Sequence, residues 1–262
     1  MKIWQFILLG IVQGVAEFLP ISSSGHLVLM EKLMGISSPG IFLEVMLHIG
    51  TLVAVCVYYR ETLAKLIRHP INPYVGYLIL ATIPSVLFTL LFGDWIDAAF
   101  GGNFLGISFL VTALLLMLAS RIPRGQKDIR STTPLDAICI GLSQCIALFP
   151  GVSRSGATIT GALFRGLKDD FAAEFSFLMS IPAILGSLVL QIVDIARWEL
   201  LIGDIQWGGT VLGMVFAALF GYLAISGMLR LLKKGKLHIF AIYTGALGLL
   251  VLVDQYITHL VF

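Results

Sequence analysis

The order of apolar and polar positions divides the chain into long apolar runs joined by short polar connections. Five stretches, 41–59, 74–92, 104–120, 208–229 and 239–258, carry little or no charge and approach or reach the roughly 20 residues that a helix needs to cross a bilayer core. A sixth, 171–192, has one early charge, Glu174. Two more segments, 1–40 and 135–167, are apolar but interrupted at mid-length by LPISSSGH (19–26) and FPGVSRSGAT (149–158). Each interrupted segment reads as two half-helices joined by an irregular turn. Such a re-entrant hairpin is tolerated at membrane depth only if it is buried in protein or lines a polar cavity. The pattern predicts an all-α polytopic membrane protein with six transmembrane helices and two re-entrant helical hairpins.

Composition agrees with this reading. Of the 262 residues, 58% are hydrophobic and 12% charged, and the mean hydropathy is +0.97, far from the balance of a soluble domain. The formal charge of +2 comes with no basic run of the kind that grips a phosphate backbone, so nucleic acid is excluded as a partner. Cys56, Cys139 and Cys145 lie in apolar segments, and their odd number argues against a disulfide framework. Lys2 precedes the apolar run IWQFILLGIV as in a signal peptide. No small-x-small cleavage site follows, however, so the segment is expected to be retained.

Loop charges orient the chain, because Lys and Arg mark cytoplasmic connections. RETLAKLIRHP (60–70), RIPRGQKDIR (121–130) and RLLKKGK (230–236) are basic, whereas 93–102 and 194–204 are acidic or nearly neutral. This places 60–73, 121–134 and 230–238 inside and 93–103 and 193–207 outside. Segment 135–167 must then leave and return on the cytoplasmic face, and 1–40 on the outer face unless the N-terminus is cytoplasmic and a single span intervenes. The two breaks are also alike: Pro20 precedes Ser22-Ser23-Ser24-Gly25 and Pro150 precedes Ser153-Arg154-Ser155-Gly156, with Glu44 or Glu174 lying 19 or 18 residues past the glycine. A hairpin plus three spans, repeated, turns the second copy upside down. The expectation is one integral membrane domain, 1–262, built of inverted repeats at about 1–120 and 135–262, with broken helices meeting at a midplane site.

An ionisable side chain at membrane depth costs at least ~2.5 kcal/mol and is rarely idle. Glu17, His26, Glu44, His48, Arg154 and Glu174 are the candidates. Gln13 and Glu17 are four apart on one helix face, and Glu44 and His48 repeat that spacing. The turn around Ser22, Ser23, Ser24 and Gly25 offers hydroxyls and unpaired amides at a helix start, an anion site. The turn around Ser153, Ser155, Gly156 and Thr158 adds the Arg154 guanidinium, suited to bidentate phosphate contacts. Lone serines and glycines in membrane helices often serve packing alone. For His48 and Glu174, capping or core hydrogen bonding is an equal reading, while Asp254 and His259 read as interfacial. Three carboxylates, Glu17, Glu44 and Glu174, face Arg154 alone, and a bound anion adds more negative charge. A divalent cation such as Mg²⁺, which takes one or two carboxylates plus substrate phosphate oxygens, resolves the imbalance.

QGVAEFLPISSSGHL (13–27), the glutamate of FLEVMLHIGT (42–51), and FPGVSRSGATI (149–159) followed by EFSFLMSIP (174–182) resemble the undecaprenyl-diphosphate phosphatases, the bacitracin-resistance proteins of bacterial cell-wall lipid recycling. The resemblance runs over essentially the whole chain. It implies removal of the terminal phosphate of undecaprenyl diphosphate at a site open to the periplasmic side of the bacterial inner membrane, with Mg²⁺ or Ca²⁺ dependence. Carried over by position, Glu17 and Gln13 form the acidic motif, and Ser22, Ser23 and His26 form the catalytic turn, supported by Glu44. Arg154, Ser153, Ser155 and Thr158 bind diphosphate. Many relatives have a second glutamate where this chain has Gln13, so Glu17 must carry that role. The implied catalytic set is Glu17, Ser23, His26 and Arg154; the implied metal ligands are Glu17 and Glu44. Expected partners are the polyprenyl diphosphate and membrane lipids, and a homodimer is admitted.

Two routes fit these residue types: attack by Ser23 after its proton passes to His26 or Glu17, or attack by a water that Glu17 activates. Sequence does not choose between them. The competing class is a lipid flippase or transporter, which shares the inverted-repeat plan. Lipid phosphatases with paired catalytic histidines are disfavoured, since His26 and His48 are the only deep histidines and no basic first motif precedes them.

Overall fold

The computed structural model describes residues 1–36, 41–99, 104–197 and 206–262. These residues fold into eleven α-helices: α1 Ile3–Phe18, α2 Ser23–Leu33, α3 Ile41–Tyr58, α4 Arg60–Arg68, α5 Pro73–Ala99, α6 Leu105–Ala119, α7 Pro134–Ile146, α8 Arg154–Phe164, α9 Asp169–Arg197, α10 Trp207–Lys233 and α11 Leu237–Val253. A π-helical turn, Asp254–Thr258, follows. No strand forms among the described residues. One isolated parallel bridge clips Lys127 to Leu167.

The chain is a multi-pass membrane protein with fewer unambiguous spans than the six expected. Pro73–Gly93, Trp207–Lys233 and Leu237–Thr258 are each long and apolar enough to cross, and the bent pair of α3 and α4 makes a fourth if counted as one span. α6 has 15 residues, about 22 Å at the helical rise, short of a ~30 Å hydrocarbon core. The basic connection 60–70 is also more ordered than expected: it is α4, turned 79° from α3. Leu63 and Leu66, three apart, pack onto the main core, while Arg60, Lys65 and Arg68 are exposed. The expected outer loops 93–103 and 193–207 fall partly outside the described residues.

The first break and the start of the second interrupted segment arise locally. Leu19 is held extended (φ −72°, ψ 139°), the conformation forced on a residue before proline, and so α1 ends there. Thr133 and Asp136 cap α7 reciprocally and Pro134 occupies its first position. Asp136, with no solvent exposure, also accepts from Lys127 Nζ at 3.0 Å and Arg165 Nε at 2.7 Å. This cluster ties the base of the second hairpin to the preceding loop.

α1 packs on α10, α7 on α5, α10 on α3, α5 on α9, and α6 on α11. Glycine permits the closest approaches: a Cβ at Gly10 would strike the Gly213 carbonyl, and one at Gly141 would strike the Ala81 carbonyl. The main core gathers Phe18, Phe175, Phe177, Leu178, Met179, Ile140 and Ile159. Outward faces are apolar, as at Leu90 and Leu91, each 74% exposed, an arrangement suited to lipid rather than water.

Candidate active site

The two breaks fold into the same turn. Ser22 Oγ accepts from the Gly25 amide at 3.2 Å and Ser153 Oγ from the Gly156 amide at 3.0 Å. Ser24 Oγ lies 3.4 Å from Ser22 Oγ, and Ser155 Oγ 3.3 Å from Ser153 Oγ. Each serine caps a helix whose next amides lack intrahelical acceptors. The turns also touch, since the Gly151 amide donates to Ser24 Oγ at 3.4 Å and Ser155 Oγ to the Leu19 carbonyl at 3.4 Å.

Glu17, at the end of α1, lies where the turns meet. One carboxylate oxygen, Oε1, is ion-paired with Arg154 Nη2 from the start of α8. The other, Oε2, accepts from Ser23 Oγ at 2.5 Å and Gln13 Nε2 at 3.2 Å. His48 Nε2 is 4.0 Å from the same oxygen, and its Nδ1 is bonded to the Glu44 carbonyl at 2.8 Å. Glu17 is only 6% exposed and Arg154 20%, so the carboxylate needs these partners: a buried charge is tolerated only when paired and hydrogen-bonded. Glu17, Ser23, Ser24, Arg154, Glu44 and His48 line one cavity of about 270 Å³, closed on its apolar side by Val152, Ile184 and Leu188.

Other expected site residues take different positions. His26 does not line this cavity: Nδ1 is 2.7 Å from the Ser22 carbonyl and Nε2 2.7 Å from Tyr243 Oη, and the ring packs edge-on to Phe109. Thr158 Oγ1 bonds to Ser176 Oγ at 2.6 Å and to the Arg154 carbonyl at 2.8 Å, bracing α8 against α9. Ser22, Ser153 and Ser155 are buried and spend their hydroxyls on the turns, though Ser153 also lines the cavity. Glu174 is remote from the cavity and accepts from Tyr74 Oη at 3.2 Å.

Comparison with known proteins bears directly on this arrangement. Residues 6–250 match the family described as bacitracin resistance protein BacA. The chain belongs to the BacA family. It is 42% identical over 256 residues to an undecaprenyl-diphosphatase of Carboxydothermus hydrogenoformans, covering 97% of this chain and 98% of that protein. It is 44% identical over 250 residues to undecaprenyl-diphosphatase 3 of Bacillus cereus ATCC 10987, covering 95% and 96%, and 38% identical over 256 residues to an undecaprenyl-diphosphatase of Halothermothrix orenii, covering 97% and 98%.

In this BacA chain the internal match is deeper than the two breaks suggest. Gly10 and Gly141, Gln13 and Gln144, Ala16 and Ala147, Ser22 and Ser153, and Gly25 and Gly156 are all 131 positions apart. Gln13 and Gln144 are both buried, one donating to Glu17 and the other to Ser85 Oγ at 2.7 Å. A constant-offset comparison of the two halves finds these pairs. Tyr243, by contrast, carries no local signal, because it meets His26 through a distant segment, whereas Asp136 is legible in the capping pattern that starts α7 at Thr133.

Proposed function

We propose that this site hydrolyses undecaprenyl diphosphate to undecaprenyl phosphate and inorganic phosphate, recycling the cell-wall lipid carrier and conferring bacitracin resistance. One observation carries the reading: a buried carboxylate bonded at once to a serine hydroxyl and a guanidinium, in a cavity between two broken hairpins. Ser23 Oγ attacks the terminal phosphorus while its proton passes to Glu17 Oε2. The new O–P bond forms as the bond to the bridging oxygen breaks, and the lipid monophosphate leaves with the electron pair. Water then cleaves the phosphoserine. The proton on Glu17 returns to Ser23 Oγ, and the water's proton leaves with phosphate. Arg154 lines the cavity and stabilises charge on the phosphoryl oxygens, the largest contribution a protein makes to such a transfer.

The donor set fits a divalent ion held largely by the substrate. Glu17 is spent on Arg154 and Ser23, and among the described residues no three acidic, His or Cys side chains gather as a ready-made cage. Glu44 on the cavity wall would supply one of the one or two carboxylates that Mg²⁺ takes beside phosphate oxygens, and Ca²⁺ would accept the same oxygens. Such an ion would neutralise charge on the diphosphate.

The reading takes α3, α5, α6, α9, α10 and α11 as six spans and α1–α2 and α7–α8 as two re-entrant hairpins, in one domain of inverted repeats. Exchanging the halves converts the α1–α10 contact into α7–α5 and the α10–α3 contact into α5–α9, and all four contacts occur. The second break packs on the first turns of α6: a Cβ at Gly151 would strike Leu105 and Ser108, and the Ser153 amide donates to Thr112 Oγ1 at 3.0 Å. With basic loops inside, that end of α6 is the outer one, which supports a periplasmic opening. An apolar groove of about 570 Å³ between Trp95, Phe104, Ile107 and Phe149 shares Val152 with the cavity and takes the polyprenyl tail.

The test is phosphate release from a short-chain prenyl diphosphate by detergent-solubilised protein, with and without chelator, together with rapid quench. Phosphate release with a trapped phosphoserine that is absent in Ser23→Ala supports the mechanism. Ser23→Ala at wild-type rate transfers attack to water, and no release by the wild type leaves a flippase.

A further inference from the structure

His26 is the imidazole that residue type alone nominates as the base for Ser23, yet its hydrogen bonds point elsewhere. Nδ1 is 2.7 Å from the Ser22 carbonyl, and a carbonyl oxygen only accepts, so Nδ1 carries the proton. The neutral ring then has one lone pair, at Nε2, and Tyr243 Oη lies 2.7 Å from it. The Tyr243 ring stacks on the imidazole at 5.7 Å and 15°, and Phe109 meets it edge-on at 5.4 Å. Its described contacts include no charged side chain. Ser23 Oγ, by contrast, donates to Glu17 at 2.5 Å.

The carbonyl that His26 holds belongs to an unusual residue. Ser22 has φ 74° and ψ 100°, a left-handed conformation rare outside glycine, and it costs of order 1–3 kcal/mol unless its surroundings enforce it. That conformation aims the Ser23 hydroxyl and the free amides of the turn. The other cap, Ser153, is in ordinary extended backbone at φ −70° and has no histidine behind it, since Ala157 occupies the position equivalent to His26. Thr158, four residues beyond Arg154, bonds the Arg154 carbonyl instead. The histidine therefore accompanies the strained turn, the one that carries the nucleophile.

We infer that His26 is a positioning residue, not the general base: it holds the Ser22 carbonyl, and through it the Ser23 turn, with Tyr243 bonded to its other ring nitrogen. The inference rests on the phosphatase reading. An asparagine side chain places its amide nitrogen near the position of Nδ1 and keeps the donor, so His26→Asn tests donation without basicity.

In the phosphate-release assay His26→Asn retains kcat within about tenfold of wild type, the scale of one neutral hydrogen bond. His26→Ala loses about 100-fold in kcat, the scale of an ångström of misplacement. The acidic limb of the pH–rate profile is the same in wild type and His26→Asn. Tyr243→Phe, which keeps the Nδ1 link, stays within about tenfold of wild type. Equal losses in the Asn and Ala variants, of the ~10²–10⁴-fold a general base supplies, or disappearance of the acidic limb in His26→Asn, overturn the inference. So does a loss in Tyr243→Phe as deep as in His26→Ala. Nitrogen-15 NMR of labelled histidine, assigned by the resonance missing in His26→Asn, gives a readout independent of turnover. A neutral ring protonated at Nδ1 supports the inference, and one protonated at Nε2 overturns it. Absence of phosphate release by the wild type counts against the phosphatase reading and leaves the NMR result to decide the role of His26.

Discussion

Arg154→Ala separates two costs that the site combines. The guanidinium pairs with Glu17 at 20% and 6% exposure and faces the cavity where phosphoryl charge develops. Removing one preorganised donor to such charge costs about 2.7–4 kcal/mol, which at 1.36 kcal/mol per decade is about 100- to 1000-fold in kcat. The same substitution leaves a carboxylate buried without its cation, a loss of about 3–5 kcal/mol when a buried pair is broken, softened here because Ser23 and Gln13 still donate to Glu17. The double variant Glu17→Gln/Arg154→Ala removes the stranded charge. It is expected to recover the stability lost in Arg154→Ala and none of the activity, since the proton acceptor for Ser23 has also gone. Initial rates of phosphate release in detergent, with thermal unfolding followed by size-exclusion chromatography, read the two costs separately. The reasoning is refuted if folded Arg154→Ala turns over within tenfold of wild type, or if the double variant is less stable than Arg154→Ala.

Two further outcomes follow from the geometry. Gly141→Ala puts a Cβ against the Ala81 carbonyl, a backbone atom that cannot swing aside, so about 1–3 kcal/mol of overpacking should lower the unfolding temperature. Gly76→Ala, where a Cβ meets nothing within 4 Å inside α5, is the control and should not lower it, since an unobstructed Ala in a helix is about 0.4–1 kcal/mol better than Gly. Glu44→Gln should raise the Mg²⁺ concentration for half-maximal phosphate release at least about tenfold, the lower end of what losing even an outer partner costs a metal site. A Mg²⁺ titration of both proteins checks it.

Much of the site is legible along the chain because it is local. Proline ends α1 in LPISSSGH and Ser22 caps the helix that restarts after it, because a capping serine finds the amide three residues on whatever surrounds it. Ionisable residues in an apolar chain announce themselves, and Glu17, Ser23, Glu44 and Arg154 do line one cavity. Hydrophobic length overstates the evident spans, however. The bend after Tyr58 depends on Leu63 and Leu66 finding the core, which no count of apolar residues reveals.

The sequence by itself determined a membrane chain with two interrupted helical segments, because burial of backbone in lipid leaves few alternatives and the breaks are written in proline, serine and glycine. Only the tertiary structure decided which groups pair. Glu17 meets an arginine 137 residues away and His26 a tyrosine 217 residues away, distances over which no periodicity survives. The role of a side chain turns on where its lone pairs point. His26 and His48 look alike in sequence, each bonding the carbonyl four residues back, and only packing against α11 turns one away while the other faces the carboxylate.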